Sequence, residues 1–425
     1  MTQTGLSTSD CAEPGSCVIA ARRVCGVPLL LGMVMLSACA TQVRVDGSGP
    51  LAGPDLRPVQ NGEKAPQTLE DMLTHDDFDL PRALLLFSEK YYPEFKGQAH
   101  DVDVPAKLKR FEEYADGLRK EINRARSPRT RLLALTDFVH VRLGLRFDPT
   151  DQGGANPENL FFDRMLQNRY GYCVSLSLAY LVFGQAVGLD VRGIRIPGHF
   201  AVIYRDREAD GTPYETIPET TDFGSTRDDL HFFAQYRFST TSVKHGVYLT
   251  PLTDKELFGT LYNNLAGLTY LRNDLELSVK RYDRALELAP NNAEVMYNRA
   301  VVLRKLKRAH EGLGNLNEAL RLDPNFVLAL ILRAALFWEN GEKRQARDDL
   351  AEAMRKRPDW VEPLMLEGQF LMDDGQLDEA RKLFERVLEM RPDFKSAHIA
   401  LAELETKAGN IAKARKHMKA AEMDK

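Results

Sequence analysis

Between residues 171 and 222 the chain sets out a cysteine, a histidine and a carboxylate in an order suited to nucleophilic chemistry. Gly171-Tyr172-Cys173 opens the run VSLSLAYLVFGQAV, which is apolar on nearly every side and so predicts a helix buried in a core. Cys173 falls in its first turn, where backbone N–H groups lack helical partners and their partial positive charge favours a thiolate. The thiolate is the nucleophilic form of cysteine. It needs a base within hydrogen-bond reach and a third group to orient that base. His199 follows Pro197-Gly198 at the start of a predicted strand, where its side chain can be aimed at a helix end. Glu219 follows the next candidate strand, in Glu219-Thr220-Thr221-Asp222-Phe223-Gly224. Each residue alone reads as structural, since free cysteine is among the most buried residue types. The order of the three, in these settings, is what points to a site.

The elements that must position them can be read from spacing. Apolar residues three and four apart predict helices at Leu80–Tyr91, Val104–Ile122 and Pro128–Leu143. A polar loop, DPTDQGGANPE, and a short amphipathic stretch from Asn159 to Tyr170 lead into the cysteine helix, which Gly188 stops. Strands are predicted at Val191–Ile196, Phe200–Tyr204 and Tyr214–Ile217. Other chemistries lack their signatures. There is no HExxH, no paired CxxC and no P-loop. The histidines His75, His140 and His245 are scattered rather than spaced as ligands, so neither a metal nor a cofactor is expected.

The chain has 425 residues, enough for two or three domains, and its net charge of −4 gives no reason to expect nucleic acid. Four of its five cysteines lie in the first 39 residues, so the folded part keeps Cys173 and no disulfide framework. Arg22 and Arg23 precede an uncharged apolar run, Val24 to Leu36, too short to span a bilayer comfortably. It ends in Leu36-Ser37-Ala38-Cys39, which resembles the lipobox of bacterial lipoproteins. That resemblance implies a signal peptide over 1–38 and a lipidated Cys39 as the mature N-terminus. Ala40, where an Asp would divert sorting, implies the outer membrane, facing the periplasm. The acidic Asp10 and Glu13 ahead of the Arg pair point to a start downstream of Met1. Gly- and Pro-rich polar sequence then predicts a flexible tether through residue 66.

The C-terminal part is periodic. Pro290, Pro324, Pro358 and Pro392 recur every 34 residues, as do Gly341, Gly375 and Gly409, and Ala346, Ala380 and Ala414. A 34-residue period is that of the tetratricopeptide repeat (TPR), two helices per unit. Repeats are predicted to begin near 259, 293, 327, 361 and 395. The first two carry Asn273 and Lys307 where the others have the turn glycine, and the Lys-rich last helix suits a solvent-facing cap. An all-α solenoid of five repeats over 256–425 exposes an extended concave surface, so a protein or peptide partner is expected.

Residues 67–255 are expected to form an α+β domain. The segment GYCVSLSLAYLVFGQAVGLDVRGIRIPGHFAVIY resembles the core of the transglutaminase-like superfamily, in the branch named after the SirB proteins. The resemblance extends through DLPRALLLFSEKYYPEF, NPENLFFDRML and LTDKELFGTLYNNL. It implies a papain-like triad with Cys173 as nucleophile, His199 as base and then acid, and Glu219 as orienting carboxylate. Asp is the commoner residue at the third position in that superfamily, which leaves Asp222 as the alternative. The oxyanion would be met by the Cys173 backbone N–H and one side chain, for which Gln167 is a candidate. Two functions follow: amide or peptide hydrolysis or acyl transfer at a membrane-anchored site, or a non-catalytic TPR adaptor lipoprotein that assembles an envelope complex.

Overall fold

A computed structural model describes residues 68–76, 78–97, 102–151, 154–226 and 238–422. The expected signal peptide, Cys39 and the tether lie outside these residues. The helices that follow are α1 (Leu69–Met72), α2 (Leu80–Tyr91), α3 (Pro93–Lys96), α4 (Val104–Ile122), α5 (Pro128–Asp137), α6 (Phe162–Asn168) and α7 (Cys173–Ala186). Helices α2, α4 and α5 each carry proline in the first turn, where its missing N–H costs no helical bond. Their N-caps Asp79, Asp103 and Ser127 accept from the backbone N–H three residues on. The third predicted helix stops at Asp137, and its last turn widens into a π-helix, Phe138–Arg142.

Strands β1 (Arg146–Phe147) and β2 (Tyr170–Gly171) form a short parallel pair that brings the loop after the π-turn beside the start of α7. The main sheet is antiparallel, in the order β3 (Asp190–Ile196), β4 (His199–Arg207), β5 (Pro213–Thr216). Alternate residues of β4 serve opposite faces, as the strand period requires. Phe200, Val202 and Tyr204 join the main core with α7, while Ala201 and Ile203 pack with Ile194, Ile196 and Ile217 behind it. A small hairpin, β6 (Pro218–Glu219) and β7 (Ser225–Thr226), follows. The chain then passes through α8 (Thr240–Lys244) and along the free edge of β3, where Leu249 N–H and Leu252 N–H donate to the carbonyls of Arg195 and Gly193.

The array is five helix pairs: α9 (Asp254–Leu271) with α10 (Leu275–Leu288), α11 (Ala293–Lys305) with α12 (Ala309–Leu322), α13 (Val327–Glu339) with α14 (Lys343–Lys356), α15 (Glu362–Asp373) with α16 (Leu377–Met390), and α17 (Lys395–Lys407) with α18 (Ile411–Glu422). Each second helix of the first four pairs ends two residues before a repeat proline. The intervening Ala289, Asp323, Arg357 and Arg391 have φ of −138°, −131°, −135° and −141°, as the proline ring forces the residue before it out of helical geometry. Within each pair the turn is left-handed at Asn273, Lys307, Gly341, Gly375 and Gly409.

Domain and array share one core. Leu84, Phe87, Phe161 and Val202 belong to the same apolar cluster as Phe258, Leu265, Tyr282 and Leu303. Polar links reinforce this junction: the Tyr91 and Tyr262 hydroxyls meet at 2.9 Å, Arg284 pairs with Glu70 at 2.8 Å, and Arg281 pairs with Glu94.

Candidate active site

The site is built where three elements end together. Tyr172, in extended conformation, caps α7, and its N–H donates to the Ser175 hydroxyl at 3.1 Å. This makes Cys173 the first helical residue. Its thiol is free and 6% exposed. The Pro197-Gly198 turn, with Gly198 at φ +68°, reverses the chain from β3 into β4 and delivers His199, 8% exposed. The end of β6 delivers Glu219.

The three side chains converge. Glu219 Oε2 lies 3.4 Å from His199 Nε2. Glu219 Oε1 accepts from the Thr221 backbone N–H at 3.1 Å and from its hydroxyl at 2.5 Å. One carboxylate oxygen thus faces the imidazole while the other is tied down locally. Burial by itself would lower the pKa of His199. Its interactions with Cys173 and with the Glu219 carboxylate outweigh burial and hold it well above its ordinary value. Burial pushes Glu219 up in turn, but His199 and the Thr221 bonds bring it down to about 2. A histidine that interacts with both a carboxylate and a cysteine is the arrangement that activates a thiol.

Of the other sequence candidates, Asp222 is exposed and takes the Ser225 hydroxyl at 2.8 Å, so Glu219 is the carboxylate placed against His199. Gln167 is exposed on α6, a short helix capped by Arg169 in left-handed geometry, and its Oε1 accepts from Arg164 at 2.6 Å.

Several supporting residues escaped the sequence reading. Ser177, one helical turn beyond Cys173, meets the Thr220 hydroxyl at 3.1 Å in a buried contact. A serine in a helix apolar all round was the available signal. The Glu219 turn closes with Gly224 N–H donating to the Glu219 carbonyl at 2.8 Å. On the other flank, the buried Asn159 amide donates to both Asp148 and Asp151, at 2.9 and 2.8 Å. This ties the DPTD loop down beside β2. Tyr172 is buried next to the thiol. Burial first, and then its interaction with Cys173 and Asp151, holds its phenol well above the ordinary value. A cavity of about 410 Å³ lies elsewhere, between Glu70, Tyr91, Glu94, Tyr262 and Arg281, and no triad residue lines it. Among the described residues no cluster of His, Cys, Asp and Glu could hold a metal ion, and no helix is long and apolar enough to cross a membrane.

Comparison with known proteins agrees with this architecture. Residues 106–218 match the model of the transglutaminase-like superfamily, and residues 282–313 and 371–425 match tetratricopeptide-repeat models. The chain therefore joins a transglutaminase-like domain with a small sheet to a C-terminal, all-helical TPR-like array. It is 22% identical over 260 residues to a UPF0162 protein of Xylella fastidiosa (strain Temecula1), across 58% of this chain and 85% of that one. Among solved structures it is similar to a thermophilic TPR protein of Thermus thermophilus (21% identity, 39% of this chain and 93% of that one, TM-score 0.35). It is also similar to YrrB, described as a TPR protein with an unusual peptide-binding site (24% identity, 38% and 84%, TM-score 0.30).

Proposed function

We propose that this protein is a membrane-anchored cysteine protein that acts on carboxamide or peptide carbonyls through Cys173, His199 and Glu219, while its TPR face holds a protein or peptide partner. The observation that carries this reading is His199 standing 3.4 Å from a Glu219 carboxylate fixed by Thr221, in electrostatic interaction with Cys173. In the reaction Sγ attacks the carbonyl carbon, a C–S bond forms, and the C–N bond breaks as His199 gives its proton to the departing amine. Water or a second amine, deprotonated by His199, then attacks the thioester and releases the thiol. Water gives hydrolysis; an amine gives a new amide. The Cys173 backbone N–H, at the start of α7, is placed to meet the oxyanion. The SirB-type assignment and the lipid anchor on Cys39 belong to the same reading and rest on the sequence motifs.

The test is alkylation of Cys173 by iodoacetamide at neutral pH, followed on the peptide that contains it. The expected rate exceeds that of a free thiol by about tenfold or more, since an unassisted thiol is only a few per cent thiolate near pH 7. His199→Ala should abolish the excess. A thiol no faster than free cysteine would sink the reading.

The burial of Cys173 favours a second reading, in which the cysteine domain is a scaffold and the array an adaptor. A Cys173→Ser strain that matches the wild type, where loss of the array does not, would select it.

A further inference from the structure

The turn that aims His199 is held from outside its own domain. A two-residue Pro-Gly hairpin with left-handed glycine matches strand twist less well than the turns hairpins prefer, so the Pro197-Gly198 turn gains from an external hold. The Gly198 N–H donates to Oε1 of Glu294 at 2.6 Å. Glu294 stands in the first turn of α11, the opening helix of the second repeat, with its N-cap Asn292 accepting from the Val295 N–H. A carboxylate is favoured at that helix end, and a charged acceptor makes the stronger kind of hydrogen bond.

We infer that Glu294 is a positioning residue for the cysteine site: its carboxylate clamps the Pro197-Gly198 turn and so fixes His199 relative to Cys173 and Glu219. This rests on the reading of the site proposed above. The array then completes the site as well as carrying a partner surface.

The surroundings show a constructed junction. Arg195, buried on β3, donates to the carbonyls of Val247 and Gly246 at 3.1 and 3.2 Å, and its charge acts on Glu294. Asp323, at the end of α12, accepts from Ser239 at 3.0 Å and from Asn325 N–H at 3.1 Å. Burial raises the pKa of Glu294, while the Gly198 N–H, Arg195 and His199 act to lower it. Val247 and Tyr248 pack with Ala293, Met296 and Leu322, so this face of α11 is anchored on both sides of Glu294.

The experiment compares Cys173 alkylation in the full chain for wild type, Glu294→Ala, Glu294→Gln and Arg284→Ala. The last removes the bridge to Glu70 at the opposite end of the junction and controls for general loosening. Glu294→Ala is expected to slow alkylation by about tenfold, because small misplacements of reacting groups are costly. Glu294→Gln, which keeps an oxygen acceptor, should stay within about threefold of wild type, and Arg284→Ala should match wild type. If Glu294→Ala does not fold, Glu294→Asp, one methylene too short for Gly198, is expected to show the same loss. Wild-type rates in the Ala or Asp variant, alongside a slow His199→Ala, would overturn the inference and leave the site reading standing. A wild-type thiol no faster than free cysteine would overturn both.

Discussion

The hydroxyls of Ser177 and Thr220 meet 3.1 Å apart, which pins the residue after Glu219 to α7 one turn beyond Cys173. The carboxylate and the nucleophile are therefore held by a single helix, and the spacing between them does not depend on the sheet alone.

Ser177→Ala removes the hydroxyl partner of Thr220, which is 1% exposed. Stranding a buried hydroxyl should cost about 1–3 kcal/mol, read as a lower denaturation midpoint, and Cys173 alkylation should slow as the Glu219 turn loosens. Adding Thr220→Val should recover part of the stability, because both polar partners are then gone. A double variant no more stable than the single would contradict the pairing.

Glu219→Gln addresses the pH dependence. The folded pKa of Glu219 lies below its ordinary value, so its contribution to stability is present above the ordinary 4.5 and is lost as pH falls through about 2. The wild-type melting temperature should fall across that window, and the Gln variant should lack this part of the fall. The folded pKa of His199 lies above its ordinary 6.5, so its contribution is present below 6.5 and is lost as pH rises through the raised value. An NMR titration of the imidazoles, with His199 identified by its absence in His199→Ala, should show this midpoint move down in Glu219→Gln. An unmoved midpoint would mean the carboxylate does not support the imidazolium.

Lys307 occupies a left-handed turn, at φ +61°, where three of the other four repeats have glycine. The left-handed region costs an ordinary residue about 1–2 kcal/mol, and Lys307 is exposed, with little packing to lose. Lys307→Gly should stabilise the array by about 0.5–1 kcal/mol, allowing for glycine's greater unfolded-state freedom. Gly341→Ala should do the reverse. Asn273→Gly should gain less, because asparagine tolerates this region better. Urea midpoints check all three.

Cys39→Ser tests the anchor independently of the site. The variant is expected in the soluble fraction of cells and the wild type in the membrane fraction. Unchanged fractionation would remove the lipoprotein part of the proposal.

The sequence exposed those parts of the structure that repeat or that obey a local period. Helices α2 and α4 begin and end where their apolar spacing places them. The 34-residue phase located the array's prolines and left-handed turns, including the two that lack glycine. Cys173, His199 and Glu219 were legible because each sits at the boundary of an element, and boundaries carry glycine and proline signals. Strands β1, β2, β6 and β7 were not, since two residues cannot display an alternation. Nor was the π-turn at 138–142, where the apolar pattern runs on while the backbone widens. Glu294 left no local trace, because its contact with Gly198 is made only by the assembled fold.

The shared core has a consequence for how the molecule comes apart. The apolar cluster of the cysteine domain runs on through the first helix pair and into α11, whereas the later pairs pack in two separate clusters, one spanning Tyr297 to Phe370 and one Val361 to Leu404. In a solenoid each unit leans only on its neighbours, so opening should proceed from the units farthest from the shared core. The distal helices should exchange amide hydrogens first, while the first pair and α11 exchange as slowly as the sheet. A cut at residue 255 should accordingly strip the cysteine domain of one wall of its interior, because the boundary expected there falls inside a shared apolar cluster.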